Sequence, residues 1–275
     1  MPWSIISVGI CFVVFGALAR LCPCNPGQPR FLSRELPDDV LYYFVSVLFY
    51  TSITAVLTHW LVGAAFGPAA KGVIARIEAG YGLLSHLPLL VQALLVVVVS
   101  DVIQYWLHRG FHTRRLWDFH AIHHSAEHPT WSTTFRIHPV NYLLYTVTVA
   151  VLVGLMGFSP AVFVILAPFN FVMSVLVHAN LNWTFGPFRY VIASPVFHRW
   201  HHASDPAARD KNFAPTFPVL DLMFGTFHMP KGQLPESFGA EGVPPHFIGQ
   251  MLHPIRPLLD RLERPRKPGL SSDGA

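Results

Sequence analysis

The chain has 275 residues, of which 52% are hydrophobic and only 12% are charged, and its mean hydropathy is +0.42. A soluble domain of this size carries about a quarter charged residues, so the composition excludes an ordinary soluble protein and predicts an integral membrane protein. The net charge of +4 does not require a nucleic-acid partner, because positive loops on one side of a membrane account for it.

Five apolar segments predict membrane-spanning helices. The first, residues 3–19, is long enough to cross or nearly cross a hydrocarbon layer of about 30 Å. Positive charge follows this segment at Arg20 and none precedes it, so we expect a retained helix with its amino terminus outside, not a cleaved signal peptide. The other predicted spans are residues 40–66, 88–107, 140–157 and 161–178, with a short interfacial helix between the second and third.

The distribution of positive charge predicts which side the loops occupy. With five spans, residues 20–39, residues 108–138 and everything after about residue 179 lie on one side, which holds every Lys and Arg except Lys71 and Arg76. Positively charged loops are retained in the cytoplasm. The predicted fold is therefore an all-α integral membrane protein, with about four to five transmembrane helices and a cytoplasmic histidine-rich helical cap.

Eight histidines fall into three groups with the spacings HxxxH, HxxHH and HxxHH. The groups are His108 and His112, then His120, His123 and His124, then His198, His201 and His202. Residues at i, i+3 and i+4 share a helix face, so each group can direct two or three ring nitrogens at one point. Imidazole is a good ligand for iron, copper and zinc, and eight nitrogens are too many for one ion, so two metal ions are predicted. The alternative is a solvated, pH-sensitive surface, which the repeated spacing disfavours.

The regions flanking the histidines give weaker signals. Asp101 lies in the third span two turns before His108, and a charged residue at such a depth costs about 2.5 to 3.5 kcal/mol on insertion scales. We therefore predict that Asp101 accepts a hydrogen bond from a ligand histidine. Residues 244–262 predict an amphipathic surface helix that could lie on the bilayer, and the basic tail from Glu263 predicts disorder.

The sequence around the histidines resembles the fatty acid hydroxylase superfamily, also called the sterol desaturase family. The resemblance rests on HRGFH, HAIHH and HRWHH, on DVIQYWLHR before the first group, on RIHP at 136–139 and on DKNFAPTFPVLDLMFGT at 210–226. It covers about residues 98–230 and implies three regions: membrane helices in 1–97, a catalytic domain in 98–230, and a surface segment with a basic tail in 231–275. It also implies a non-haem di-metal centre, normally two iron ions, which zinc can replace, with O2 as co-substrate.

The resemblance implies nine metal ligands and no other catalytic residue. They are His108, His112, His120, His123, His124, His178, His198, His201 and His202. Asn182 stands where some relatives have a tenth histidine and could hold a water molecule. His138, in RIHP, is either a ligand or a structural hydrogen-bonding residue. The remaining candidates are expected to be surface or packing residues: His128, His228, His246 and His253.

The expected function is hydroxylation of a lipid C–H bond by O2 and two electrons. Desaturation by the same centre is the nearest alternative, and a metal-binding or transport protein is a more remote one. No segment resembles a cytochrome b5 domain, a flavin site or a nucleotide-binding loop, so we expect a separate electron donor such as a ferredoxin, a cytochrome b5 or a reductase. The ending SSDGA is not an ER-retrieval signal, so we expect a bacterial inner membrane, or the ER membrane in a eukaryote. The oligomeric state stays open.

An apolar chain is expected to reach the metals through a channel between the spans. Six aromatic residues are candidates for its lining, although ordinary packing or a position in an interfacial belt is favoured for each one individually: Trp106, Trp131, Phe135, Phe169, Trp183 and Phe197.

Overall fold

The computed structural model describes residues 2–29 and 32–256, and this part of the chain is helical, with a single isolated β-bridge between Ala203 and Phe238. The all-α prediction is confirmed. The helices are α1 (Pro2–Leu21), α2 (Leu36–Val45), α3 (Thr51–Phe66), α4 (Ala70–Ala79), α5 (Gly82–Ser85), α6 (Leu89–Phe111), α7 (Trp117–His124), α8 (Pro139–Leu155), α9 (Ala161–His178), α10 (Pro195–His201), α11 (Val219–Met223) and α12 (Phe247–Leu252).

Three helical stretches are long and apolar enough to cross a membrane: Ser52–Ser85, Leu89–Phe111 and Ala161–His178. Two further apolar helices, Ile6–Leu21 and Pro139–Leu155, are shorter. Large apolar side chains on the long helices face outward; Val56, Leu90 and Val164 are 67%, 72% and 75% exposed. Such exposed apolar surface is compatible with hydrocarbon and unfavourable in water. The protein is therefore an integral membrane protein, and its described residues include three long apolar helices and two shorter ones.

The helix predicted over 40–66 begins earlier than expected. The α-helix α2 leads through a π-helical turn, Ser46–Tyr50, into α3, and together they run for about 46 Å, which exceeds the hydrocarbon thickness. The first turn of α2 carries Asp38 and Asp39. Asp39 is buried and forms an ion pair of 2.7 Å with Arg136, which fixes the start of α2 against the segment beside the histidines.

The apolar core packs α6, α8 and α9 together and continues into the histidine-rich region. Val96, Val153 and Val162 are buried where the three helices meet. At the other end of α9, a second cluster that includes Val177 and Phe197 joins α9 to α10. These contacts bring the carboxyl ends of α6 and α9 beside the short helices α7 and α10.

The helix α12 is docked on α2. Gln250 is fully buried and accepts a hydrogen bond of 2.9 Å from the Tyr42 hydroxyl, and the rings of Tyr42 and Phe247 lie 4.8 Å apart. The part of the predicted segment 244–262 that follows residue 256, and the basic tail, lie outside the described residues. The three-region division at residues 97 and 230 stays a prediction.

Candidate metal centre

The nine histidines implied as ligands lie in two adjoining groups. In each group one ring nitrogen per residue lies within 4.8 Å of those of the other members. The five-histidine group is His108, His112, His120, His124 and His201. The four-histidine group is His123, His178, His198 and His202. Their imidazole nitrogens could hold two metal ions, one per group.

Both HxxHH motifs serve both groups, contrary to the expectation that each motif directs its nitrogens at one point. In α7, His120 and His124 share a face and enter the five-histidine group, while His123 enters the other. The motif of α10 makes the opposite division: His198 and His202 enter the four-histidine group and His201 the five-histidine group. An i, i+4 pair lies on one helix face, and the residue at i+3 is offset from it. The two groups therefore adjoin.

Segment 210–213 orients most of the five-histidine group. Three of its histidines bond through Nδ1 to this segment: His108 to the Phe213 carbonyl at 2.7 Å, His201 to the Lys211 carbonyl at 2.8 Å, and His112 to the Asp210 carboxylate at 3.1 Å. A fourth, His120, bonds through Nδ1 to the side-chain oxygen of buried Asn141 at 2.7 Å. Since these acceptors fix the proton on Nδ1, each Nε2 presents a lone pair to the centre of the group.

Two buried carboxylates hold segment 210–217 in place. Asp101 accepts from the backbone amides of Thr216 and Phe217 at 2.7 and 2.9 Å. Asp221 accepts from the amide of Phe213 at 2.8 Å. The prediction that Asp101 accepts a hydrogen bond from one of the histidines is wrong. Asp101 instead holds the loop whose residues 210–213 bond to the histidines.

The four-histidine group contains two lone pairs that face each other. His123 donates from Nδ1 to the Arg136 carbonyl at 3.2 Å, and His178 donates from Nδ1 to the Ser174 carbonyl at 2.6 Å. Both Nε2 atoms are then unprotonated in the neutral rings, yet they lie 3.1 Å apart. Two lone pairs at this distance repel, and a cation between them removes the repulsion. Two metal–nitrogen bonds of about 2.1 Å at a right angle would separate the nitrogens by about 3 Å, so the residues fit a metal ion.

In the five-histidine group, three Nε2 atoms are buried without a hydrogen-bond partner among the described residues: those of His112, His124 and His201. Buried polar atoms are nearly always satisfied, so unpaired acceptors that converge on one point indicate a missing cation. The donor set, with every ligand an imidazole, suits iron, copper or zinc better than magnesium or calcium.

Burial keeps the histidines of α7 and α10 neutral. Desolvation, and then repulsion from neighbouring histidines, lowers the pKa of six of them well below the usual value: His120, His123, His124, His198, His201 and His202. A neutral imidazole is the form that binds a metal. The solvated, pH-sensitive surface considered above therefore does not describe these residues.

Two other predicted site residues do not enter either group. His138 caps the start of α8: its Nδ1 accepts from the amide of Val140 at 3.1 Å and its Nε2 bonds to the Met251 carbonyl at 3.3 Å. Asn182 is exposed, and its backbone amide donates to the Cys22 carbonyl at 3.0 Å. Neither side chain is placed as a ligand.

Sequence reasoning missed Asn141 and Asp210. Asn141 is a polar residue in the first turn of an otherwise apolar helix, which is the same signal that singled out Asp101. Asp210 lies in DKNFAP at a positive φ of 56°, and its contact with His112 spans 98 positions along the chain, a separation that spacing cannot reveal.

A cavity of about 520 Å³ lies between the helices and reaches the four-histidine group. Its lining includes Tyr43 and Val47 near the end of α2, and His178 and His198 at the histidine end. Of the six predicted aromatic lining residues, only Phe135 contributes. The others take part in packing or face outward; Phe197 is fully buried and Trp106 is 49% exposed.

The fatty acid hydroxylase family profile matches residues 93–226. The chain is 28% identical over 201 residues to a protein described as ornithine lipid hydroxylase OlsE from Rhizobium tropici, a match that covers 70% of this chain and 60% of that protein. No solved structure matches the chain significantly.

Two other kinds of relative match over shorter stretches of the chain. An alkylglycerol monooxygenase from Danio rerio is 34% identical over 128 residues, which are 46% of this chain and 28% of that protein. A very-long-chain aldehyde decarbonylase, GL1-8, from Oryza sativa subsp. indica is 30% identical over 157 residues, 53% of this chain and 57% of that protein. The chain therefore spans less than two thirds of the length of these relatives.

Proposed function

We propose that the protein, whose residues 93–226 match the fatty acid hydroxylase family profile, is a membrane-bound, non-haem di-iron monooxygenase that hydroxylates a C–H bond of a lipid chain. The observation that carries the proposal is the pair of buried histidine groups at the end of a cavity between membrane helices. Two relatives described as a lipid hydroxylase and a monooxygenase support it.

We propose that each histidine group holds one iron ion. The two ions, when bound, would activate O2 with two electrons and supply an oxidant for an unactivated C–H bond. Iron is favoured over zinc because this chemistry requires a redox-active metal, although zinc could occupy the same imidazole ligands.

The chain's own residues contribute geometry and enclosure. Segment 210–213 and Asn141 fix the Nδ1 protons, so the Nε2 lone pairs stay directed at the metals. Burial of the ligands keeps bulk water away from the reacting carbon. The cavity orients the lipid chain so that one carbon lies beside the four-histidine group.

Desaturation stays the nearest alternative, because the same centre can remove a second hydrogen when the substrate sits differently. The rice relative, described as an aldehyde decarbonylase, indicates that related chains carry further reactions. A transport role is disfavoured because the nine histidines gather at the ends of α6 and α9 and do not form a route along them.

We further propose a separate electron-donor protein, such as a ferredoxin, a cytochrome b5 or a reductase. The positive loops favour a cytoplasmic position for the histidines, where such donors are available. We propose a bacterial inner membrane as the location.

The test compares the lipids of iron-replete cells that express the protein with those of cells expressing a variant in which His201 is replaced by alanine. A lipid heavier by one oxygen atom, labelled by 18O2, is expected only with the unaltered protein. A lipid lighter by two hydrogen atoms would support desaturation. An unchanged lipid profile, with iron present and a reduced donor supplied, would contradict both.

A further inference from the structure

Two carboxamides line the cavity without a partner among the described residues. They are Gln104 on α6 and Asn170 on α9. Three hydroxyls of the same cavity do have partners: Thr146 bonds to Thr54, Ser46 to the Tyr42 carbonyl and Ser174 to Thr134. Gln104 and Asn170 are the two carboxamides of this lining, and the hydrogen-bonding capacity of both is open.

Both carboxamides lie in membrane-spanning helices on the route to the histidines. Gln104 precedes His108 by four residues, about 6 Å along the same face of α6. Asn170 precedes His178 by eight residues, about 12 Å along α9. Both residues line the cavity that reaches His178 and His198 of the four-histidine group, whereas His108 belongs to the five-histidine group.

Gln104 is half-buried and Asn170 is exposed. Polar residues within membrane spans are rare and usually face a functional interior. The cavity lining contains no Asp, Glu, Lys or Arg. The cavity therefore has no charged side chain that could form an ion pair with a charged lipid headgroup. A carboxamide both donates and accepts, and so it matches an uncharged ester, amide, ether or hydroxyl.

We propose that Gln104 and Asn170 bind a neutral polar linkage of the lipid substrate, so that the oxidised carbon lies close to that linkage and not at the far end of a plain hydrocarbon chain. The inference deepens the proposed function and rests on it. The two residues determine specificity and take no part in metal binding.

The test uses full-length, iron-loaded protein in detergent micelles with three probes of equal chain length: 1-O-hexadecylglycerol, 1-hexadecanoylglycerol and hexadecane. Binding is measured as thermal stabilisation by each probe, and product as a mass gain of one oxygen. The unaltered protein should prefer the two lipids with a linkage. Gln104→Leu and Asn170→Leu should each reduce that preference about fivefold while the iron content stays the same.

Gln104→Met, which keeps the length of the side chain, should behave as Gln104→Leu does. The matched controls are Val102→Leu and Val172→Leu, at outward-facing positions of α6 and α9 that are 39% and 52% exposed and do not line the cavity. Both controls should keep the preference of the unaltered protein.

Three results would overturn the inference: no preference in the unaltered protein, an unchanged preference in both leucine variants, or an equal loss of hexadecane binding, which would mean that the carboxamides only shape the cavity. A different result separates the two proposals. If the preference depends on the carboxamides but no probe is oxidised in the presence of a reduced donor, the linkage site stands and the proposed function fails.

Discussion

The two histidine groups use the same ligand type in different surroundings. The five-histidine group is enclosed by segment 210–213 and Asn141, which fix four of its rings. The four-histidine group adjoins the cavity through His178 and His198. Two copies of HxxHH, divided in opposite ways, build both groups. Under the proposed function, the five-histidine group would mainly hold its metal and the four-histidine group would also contact the substrate. Each experiment below tests one side of this comparison.

Removing one ligand from either group should have the largest effect. His201→Ala takes a ligand from the five-histidine group and His123→Ala takes one from the four-histidine group. Each variant is expected to lose iron and to have no detectable activity, because the proposed reaction needs both metals. Iron content and oxygenated product are measured on membranes with equal amounts of protein.

His246→Ala is the control for these variants. Its side chain is 84% exposed and lies near Asp38, away from both groups. The variant should keep its iron and its activity. Full activity in both ligand variants would contradict the site.

Acid should destabilise the metal-free protein steeply. Burial holds the pKa of the histidines of α7 and α10 well below the unfolded value of about 6.5. Below that pH the unfolded state binds more protons than the folded state, so stability is present above about pH 6.5 and is lost as the pH falls, by up to about 1.4 kcal/mol per pH unit for each histidine. Thermal unfolding of metal-free protein between pH 8 and pH 5 measures how steeply its stability falls with pH.

Bound iron should oppose this loss, because it stabilises the neutral imidazoles in the folded state. Metal-free and iron-loaded protein that unfold with the same pH dependence would mean that the buried histidines do not hold the metal.

Loss of an acceptor behind a ligand should have a smaller effect, confined to the five-histidine group. Asn141 is 3% exposed and fixes His120, so Asn141→Leu is expected to weaken metal affinity about 10- to 100-fold. The side chain of Asp210 is 59% exposed, and water can replace it as the acceptor for His112, so Asp210→Asn should cost only a few-fold. Iron titration of each metal-free variant measures its metal affinity. A larger loss of affinity in Asp210→Asn than in Asn141→Leu would contradict the expectation that the buried acceptor contributes more.

Narrowing the cavity should affect the substrate and leave the metals in place. Val47 lines the cavity on the side of α2, and Val47→Phe reduces the space for a lipid chain. We expect KM to rise about tenfold with unchanged iron content. A loss of iron in this variant would show that a substitution in the cavity also disturbs metal binding by the four-histidine group.

The smallest effect is expected at His138. Both of its ring nitrogens bond to the backbone, so His138→Ala should lower the free energy of unfolding by about 1 kcal/mol and leave iron content and activity unchanged. Loss of iron in this variant would restore His138 as a candidate ligand.

Local spacing was enough to predict the helices and to nominate the ligands. HxxHH fixes which histidines share a helix face, and apolar runs of about 20 residues identify membrane helices without any tertiary information. Spacing nominates eight of the nine histidines that lie together, and the resemblance adds His178, which has no spaced histidine partner.

Hydrogen bonds between residues that are far apart along the chain cannot be predicted from the sequence. The contacts of Asp101 with Thr216 and of His112 with Asp210 each join residues about a hundred positions apart, and they depend on how the loop folds back over α6. The sequence also does not identify the residues that line the cavity, because an aromatic residue near a site packs in the core as readily as it lines a channel; Phe197 is fully buried in the core.

The most direct test of the two-group account is the iron content of the unaltered protein, purified in detergent from iron-replete cells and measured by mass spectrometry. The two histidine groups predict about two iron ions per chain, and His201→Ala should lower this number. One iron ion or fewer per chain, after zinc displacement has been excluded by measuring zinc in the same sample, would contradict a centre with two metals.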